Sequence, residues 1–494
     1  MQDSLKHKTA KGAAWISAMN LCALAVSFTS FIVLARLLSP AAFGIIAAAQ
    51  VIINLFAIFQ RFGLPEALAQ RSELGKGHIN AAFWISALLG CLLFASGWSF
   101  SGLAAAFFNM PDLTSPLRVM LFALILNIFC IVPLGLLKRD FKFKEISVAQ
   151  LVSLAAGSVI GITMAIMGFG VWSLVAMGLV NVFITALTFT YMVRYYPRLN
   201  FSLQDVKAMF SFGIHVVGAD SINSSNSITD KFVVGRFIGD IALGYYYIAQ
   251  RLIDILNMLI IQPVSEVILP GFSKIQKNPD EALYHYYKII RLSAFIAFPV
   301  FIGVSLMAPE IVKVFLQSKW VPAIAAMQIY ALIGPSKIQN AINMQLLIAF
   351  GKPNRCLWNS AINATVNIAG FLLVFKWGIE AIAAVLVIRS YILSPLLVIM
   401  LKNVTGLSMA KYYRQNLYPI TAIILMCISV FITKRLIHDF GSGVTLVLCP
   451  IVGAFVYCVT VLLLHPKLMS GLIDEFRRKE TRVKMYALTV FRHL

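Results

Sequence analysis

From Gly443 to Leu464 the chain reads GVTLVLCPIVGAFVYCVTVLLL, with no charged residue and only short polar side chains. Backbone polar groups placed in hydrocarbon find no water, so a run of about 20 apolar residues has essentially one stable outcome, a helix that satisfies its own N–H and C=O groups. Runs of this kind recur along the chain, near 12–38, 43–64, 79–107, 117–137, 146–168, 171–193, 207–230, 241–268, 285–308, 322–348, 354–375, 378–401, 416–436 and 443–464. The expected fold class is therefore an all-α polytopic membrane protein with 14 transmembrane helices. Composition agrees, because 12% charged residues is about half of what soluble domains carry. The run over 12–38 is longer than the roughly 7–15 apolar residues of a signal-peptide core and reads as a retained first span.

A formal net charge of +21 over 494 residues would suit nucleic acid if the basic residues formed a patch. They fall instead in the short breaks between apolar runs, which excludes that partner class and gives sidedness. One alternate set of breaks holds only Arg118, Lys231, Arg236, Lys313, Lys319, Lys376, Lys434 and Arg435, and five more basic residues lie within spans. The rest of the 41 Lys and Arg sit on the other set, with both termini. The positive-inside rule then puts both termini in the cytoplasm. Every outward loop is short, which leaves no room for an external catalytic domain. The seven cysteines are scattered without metal-ligand spacing.

Residues 31–50, FIVLARLLSPAAFGIIAAAQ, align without a gap on residues 231–250, KFVVGRFIGDIALGYYYIAQ. The matches include Ser27/Ser227, Thr29/Thr229, Arg36/Arg236, Gly44/Gly244 and Gln50/Gln250, several of them not aliphatic. Six spans separate the copies, so both enter the membrane from the same side. This predicts a parallel repeat: an N-lobe over 1–200 and a C-lobe over 201–405, each of six helices and related by a pseudo-two-fold axis along the membrane normal. Two extra helices over 406–465 and a basic tail over 466–494 lie outside it. Such repeats in secondary transporters place the site at their interface.

The seventh span interrupts the apolar pattern with ADSINSSNSITDK at 219–231. On a helix, Asp220, Asn223, Ser224, Ser227, Asp230 and Lys231 form one stripe. Facing lipid, each charge would cost roughly 2.5–3.5 kcal/mol or more, so the stripe faces protein or water. Gln250, Arg251, Asp254 and Asn257 recur at helical spacing in the eighth span, as do Gln50, Asn54 and Arg61 in the second and Lys337, Asn340 and Met344 in the tenth, after a Gly334-Pro335 break expected to bend the helix. Under the repeat, Asp220, Asp230 and Asp254 correspond to Asn20, Ser30 and Asn54. Packing alone does not demand the acids, which favours a cavity lining over a purely structural network such as an Arg251–Asp254 pair.

VLARLLSPAAFGIIAAAQ, its echo VVGRFIGDIALGYYYIAQ, PVSEVILPGFSKIQ and ADSINSSNSITDKFVVGRFIG resemble polysaccharide exporters of the multidrug/oligosaccharidyl-lipid/polysaccharide superfamily. The likeness is closest to the colanic-acid-exporter branch of Wzx-type flippases and covers nearly the whole chain. It implies a rocker-switch flippase moving an undecaprenyl-diphosphate-linked oligosaccharide between leaflets, with no cofactor and with H+ or Na+ as the coupling ion where transport is coupled. On that basis Arg61, Arg251 and Lys337 are the expected cations for the diphosphate, Asp220 and Asp254 the coupling acids, and Asn223, Ser224, Ser227, Gln50, Asn54 and Asn340 the glycan path.

Arg36 and Arg236 read as snorkelling residues at helix ends, and Arg389 as a structural cation. Tyr245–Tyr247 with Tyr284, Tyr286 and Tyr287 read as an interfacial aromatic belt, with sugar stacking as the alternative. The tail reads as an amphipathic helix on anionic inner-membrane lipid or a dock for polysaccharide polymerase and export machinery. A multidrug antiporter of the same superfamily would favour acids in its cavity. A membrane polymerase would need a sizeable non-membrane segment or an acid-rich loop, and none is present.

Overall fold

The computed structural model describes residues 2–71, 73–207, 209–210, 228–276, 278–464 and 466. Among these, every regular element is helical. The chain runs α1 (Gln2–Leu37), α2 (Pro40–Arg61), α3 (Leu64–Gln70), α4 (Lys76–Phe108), α5 (Thr114–Met120), α6 (Phe122–Arg139), α7 (Phe143–Ile166) and α8 (Val171–Val193). Helical residues 228–237 form α9. There follow α10 (Asp240–Ile275), α11 (Pro279–Ile311), α12 (Ile324–Ala331), α13 (Gly334–Ala349), α14 (Pro353–Val374), α15 (Ile379–Thr405), α16 (Met409–Leu417), α17 (Ile420–Leu436) and α18 (Gly441–Leu464).

Eleven helices among the described residues are long and apolar enough to cross a membrane, or twelve if the bent pair α12–α13 counts as one. Two of the fourteen expected spans are missing from that set. Residues 211–227 of the seventh lie outside the described residues. The eighth is α10, whose 36 residues would span about 54 Å at 1.5 Å per residue but include Asp240, Arg251 and Asp254. The expected bend after Leu332 is present, at 42°. Gly334 at that bend lies so close to the Phe301 ring that an added Cβ would sit 2.1 Å from it. Helix α2 ends on Phe62 and Gly63, both left-handed, with φ of 46° and 61°.

The contacts of the first helices recur among the later ones. The pairs α7–α8, α4–α6, α6–α8 and α2–α5 pack as α14–α15, α11–α13, α13–α15 and α10–α12 do. The two groups meet mainly where α2 packs along α10. There a Cβ on Gly44 would lie 1.9 Å from the carbonyl oxygen of Asp240, and a Cβ on Gly244 2.0 Å from that of Pro40. Each glycine thus touches the 200-shifted counterpart of the residue its own counterpart touches, the reciprocity of a two-fold contact.

Around this crossing the helices are sealed. Ala47, Ala48 and Ala49 are buried, as are Tyr246, Ile248 and Ala249. The Arg36 guanidinium donates to the carbonyls of Phe315 and Val314, both at 2.7 Å. Lys319 Nζ donates to those of Arg36 and Leu38 at 2.7 and 2.8 Å, and Trp320 Nε1 to that of Ala35 at 2.8 Å. On the opposite side Arg236 donates to the Asn109 amide oxygen at 2.9 Å and covers the Phe107 ring. Arg36 and Arg236 are therefore not merely snorkelling, since each reaches the chain just past the end of the other group's long helix, α11 or α4. Further along, α2 and α10 lose burial, with Leu55, Phe59, Met258 and Leu259 all at least 40% exposed.

Residues 194–207, between the two groups, are strapped to α4. Asn80 donates to Asn200 O at 3.0 Å and accepts from Tyr195 Oη at 2.7 Å, and His78 Nε2 lies 3.2 Å from Asp205 Oδ1. Helices α17 and α18 pack together and against α11, where Lys434 pairs with Glu310 at 2.8 Å.

Candidate translocation site

The later group of helices holds most of the polar side chains that the spans carry. Asp230, on α9, is 2% exposed, and such a carboxylate persists only if its oxygens are filled. One accepts from Tyr246 Oη at 2.9 Å and from Gln250 Nε2, the other from the Lys231 backbone N–H at 2.8 Å. Tyr246 lies six residues past the start of α10 and is fully buried, so the belt reading fails for it. It fails too for Tyr286, buried and donating to Asn343 at 2.6 Å, and for Tyr287, bonded to the Ser408 backbone. Of the second tyrosine group, Tyr284 is the exposed member, at 66%.

Asp254, two turns beyond Tyr246, has a different environment. Lys337 Nζ on α13 lies 3.8 Å away, and both side chains are about 40% exposed. Asn257 Nδ2 donates to the same carboxylate at 3.2 Å. An Arg251–Asp254 pair is not what forms. Arg251 instead reaches across to α1 and donates to Ser27 Oγ at 3.0 Å, so a partner on a facing helix takes the guanidinium although i, i+3 spacing keeps Arg251 and Asp254 on one face.

Arg389 is the residue that sequence reasoning undervalued. It lies ten residues into α15, about 15 Å at 1.5 Å per residue, and donates from Nη1 to Asn363 Oδ1 on α14 at 2.8 Å. Its Nε is buried without a partner among the described residues. Asp230 and Tyr330 are within its electrostatic reach, and Lys337 feels Asp230, Asp254, Lys231 and Arg389 together. Its only sequence signal was an arginine in the middle of a span, since the partners are 26 and more residues distant.

The other expected site residues are placed as follows. Asn340 Nδ2 donates to Ser336 Oγ at 3.3 Å, within a cluster where Ser390 Oγ donates to Ser336 Oγ at 2.7 Å. Gln50 is half-buried, and Asn54 and Arg61 are exposed along the part of α2 that has left the seal. Asp220, Asn223, Ser224 and Ser227 lie outside the described residues. Among those described, the acids Asp230 and Asp254 share this part of the bundle with four cations, Lys231, Lys337, Arg389 and Arg251, the last turned to Ser27. No group of three or more potential metal-ligating side chains occurs among the described residues.

These observations define a multi-pass membrane protein whose described regular elements are all helical and whose interior carries several polar and cationic side chains. Residues 33–325 match the family model described as polysaccharide biosynthesis protein, and the chain belongs to that family. Among relatives, it is 25% identical over 342 residues to the lipopolysaccharide biosynthesis protein WzxC of Escherichia coli strain K12, covering 67% of this chain and 68% of that one. It is 23% identical to the succinoglycan biosynthesis transport protein ExoT of Rhizobium meliloti strain 1021, over 98% of both chains. In three dimensions it is similar to the lipid II flippase MurJ in an inward closed conformation, with a TM-score of 0.77, 14% identity and coverage of 92% of this chain and 99% of that one. An inward-facing MATE transporter of the MOP superfamily gives a TM-score of 0.60 at 14% identity, over 80% of this chain and 99% of that one. The family match and these relatives agree with the resemblance read from the sequence, and the solved structures show the fold.

Proposed function

We propose that the protein is a flippase that moves an undecaprenyl-diphosphate-linked oligosaccharide, a repeat unit of an exopolysaccharide or lipopolysaccharide, across the bacterial inner membrane by alternating access. The two repeated helix groups act as lobes that rock about the α2–α10 crossing. The sealed end, with the α1–α2 turn, faces the periplasm and the less buried end faces the cytoplasm, as the basic residues favour. The observation that carries the reading is the excess of cations over acids in the interior. Lys231, Arg251, Lys337 and Arg389 outnumber the two described acids, and a diphosphate supplies the missing negative charge. A drug antiporter handling organic cations would need the opposite balance. Relatives named for lipopolysaccharide biosynthesis and succinoglycan transport support a polysaccharide precursor as cargo and transport, not enzymatic polymerisation, as the activity.

Arg61, exposed where α2 leaves the seal, makes first contact with the diphosphate. Arg251 and Lys337 hold it further in. Asp254, paired to Lys337 and water-accessible, is the described acid able to exchange a proton as access alternates, with Asp220 as the second coupling acid. Gln50, Asn54, Asn223, Ser224, Ser227 and Asn340 line the glycan path. The experiment is complementation of a deletion strain with Arg251→Ala and Lys337→Ala, measuring surface polysaccharide and lipid-linked oligosaccharide per unit of membrane-inserted protein. Loss of export with accumulation of one intermediate is the expected result. Full export by both variants would sink the proposal.

A further inference from the structure

Two asparagines on facing helices are held in the same way. Asn257 on α10 spends its amide N–H on Asp254 and Asn340 on α13 spends its own on Ser336, each one turn back on its own helix. In both, the amide oxygen is buried and meets no donor among the described residues. A buried acceptor without a donor is a standing desolvation cost, and its appearance twice in one seam calls for a ligand that donates.

The two oxygens belong to one place. α10 and α13 pack against each other, and with α11 and the bend-forming α12 between them in the chain they cross the bundle in the same direction. In a parallel pair, three residues on from one facing layer lies the next. Asp254 and Lys337 face each other at 3.8 Å, so the following layer is Asn257 with Asn340. The layer before is Gln250 with Ile333, both buried, and the layer after places Ile261 by Met344. The seam is thus polar at Asp254–Lys337 and Asn257–Asn340, continues to Gln250 on one side and is closed by apolar residues on the other.

We infer that this two-layer seam is a sugar-recognition subsite, a reading that rests on the flippase assignment above. Two amide oxygens and the Asp254 carboxylate are acceptors, and Lys337 is the single donor. The three acceptors suit a ring with several hydroxyls or an acetamido N–H, so the seam reads the glycan next to the diphosphate that Lys337 shares with Arg251. Specificity from such a site is steep, because a substrate lacking the hydroxyl leaves the same oxygens buried and unpaired.

The test is the double variant Asn257→Leu with Asn340→Leu, beside Asn257→Ser with Asn340→Ser and beside Arg251→Ala, in the full-length protein. Removing two unpaired acceptors leaves thermal unfolding in detergent unchanged or raises its midpoint, whereas export of the cell's own polysaccharide, normalised to inserted protein, falls at least tenfold. The serine pair, which keeps an oxygen at each position, restores part of that export. Wild-type export by the leucine pair while Arg251→Ala is inactive overturns the subsite and leaves the flippase standing. Normal export by Arg251→Ala as well overturns both. A leucine pair that unfolds at lower temperature shows that the asparagines are structural, which also overturns the subsite.

Discussion

At the α2–α10 crossing one added methyl group should change which end of the molecule is shut. A Cβ on Gly44 would lie 1.9 Å from the Asp240 carbonyl oxygen, and one on Gly244 2.0 Å from that of Pro40, where real Cβ contacts essentially never fall below 3.0 Å. In Gly44→Ala or Gly244→Ala the helices must therefore retreat by about 1 Å or more, and the atom in the way is backbone. Overpacking of this kind costs typically ~1–3 kcal/mol. Borne only by the sealed state, it moves the balance between sealed and open ends by roughly 5- to 150-fold. The reciprocal geometry demands similar effects from the two single variants. The double variant should cost less than their sum, since one retreat relieves both clashes. Spin labels at Leu37 and Phe237, each 46% exposed near this end, report the state by electron–electron distance once Cys22, Cys91, Cys427 and Cys458 are replaced. The expected result is a longer-distance population in either alanine variant. An unchanged distance distribution in both would refute the view that this contact is a seal broken during the cycle.

Asp230→Asn should unfold more easily, by ~1–3 kcal/mol, because an amide nitrogen cannot accept the bonds a carboxylate oxygen receives, while Asp254→Asn should keep its stability and lose export. Thermal unfolding in detergent beside an export assay separates the two. Arg36→Ala with Lys319→Ala removes four hydrogen bonds to carbonyls at or just past helix ends and should populate the open end in the same spin-label measurement. Trp320→Phe, which deletes a buried one, should do so more weakly. The backbone N–H and hydroxyl of Ser202, with the neighbouring His78 and Arg71, hold the Asp205 carboxyl below its usual range. A depressed carboxyl contributes above its unfolded value of about 3.9 and ceases to as pH falls through its folded one. Protease resistance of the 194–207 strap should thus be level from pH 7 to 5 and fall in more acidic buffer, and Asp205→Asn should flatten that fall.

Much of the fold was readable because lipid leaves a chain so few choices. Apolar length predicted twelve of the fourteen expected spans when the bent pair counts as one, and the Gly334-Pro335 step predicted a bend that falls between α12 and α13. That Gly44 meets Asp240 and Gly244 meets Pro40 was not legible, because the alignment pairs positions without saying which of them touch. Polar side chains were harder, because what a buried polar group does depends on partners far away in sequence. Helical spacing correctly aligned Asp254 with Asn257, but nothing local says that its cation is Lys337, 83 residues on, or that Arg251 belongs to Ser27. Arg389 looked isolated only because Asn363 and Asp230 come from α14 and α9. The tyrosines near helix ends matched the pattern of an interfacial belt, and burial, which sequence does not give, separates Tyr246 and Tyr286 from it.

The repeat also explains why an acid appears in one half and not the other. Ser30, at the position matching Asp230, is equally buried and satisfies itself by donating to Val26 O at 2.6 Å. Asp230 has no such exit, and the residue that supplies its hydroxyl donor, Tyr246, stands where the first copy has Ile46. Gln250 and Gln50 match, and Gln250 turns to the carboxylate. The acid and its tyrosine therefore form a unit in which both carboxylate oxygens meet donors. Asp254 differs from its counterpart Asn54 in another way, since neither copy buries the position and the acid stays within reach of water. One acid is thus built into the packing and the other left partly exposed, and it is this difference in burial on which the coupling role proposed for Asp254 rests.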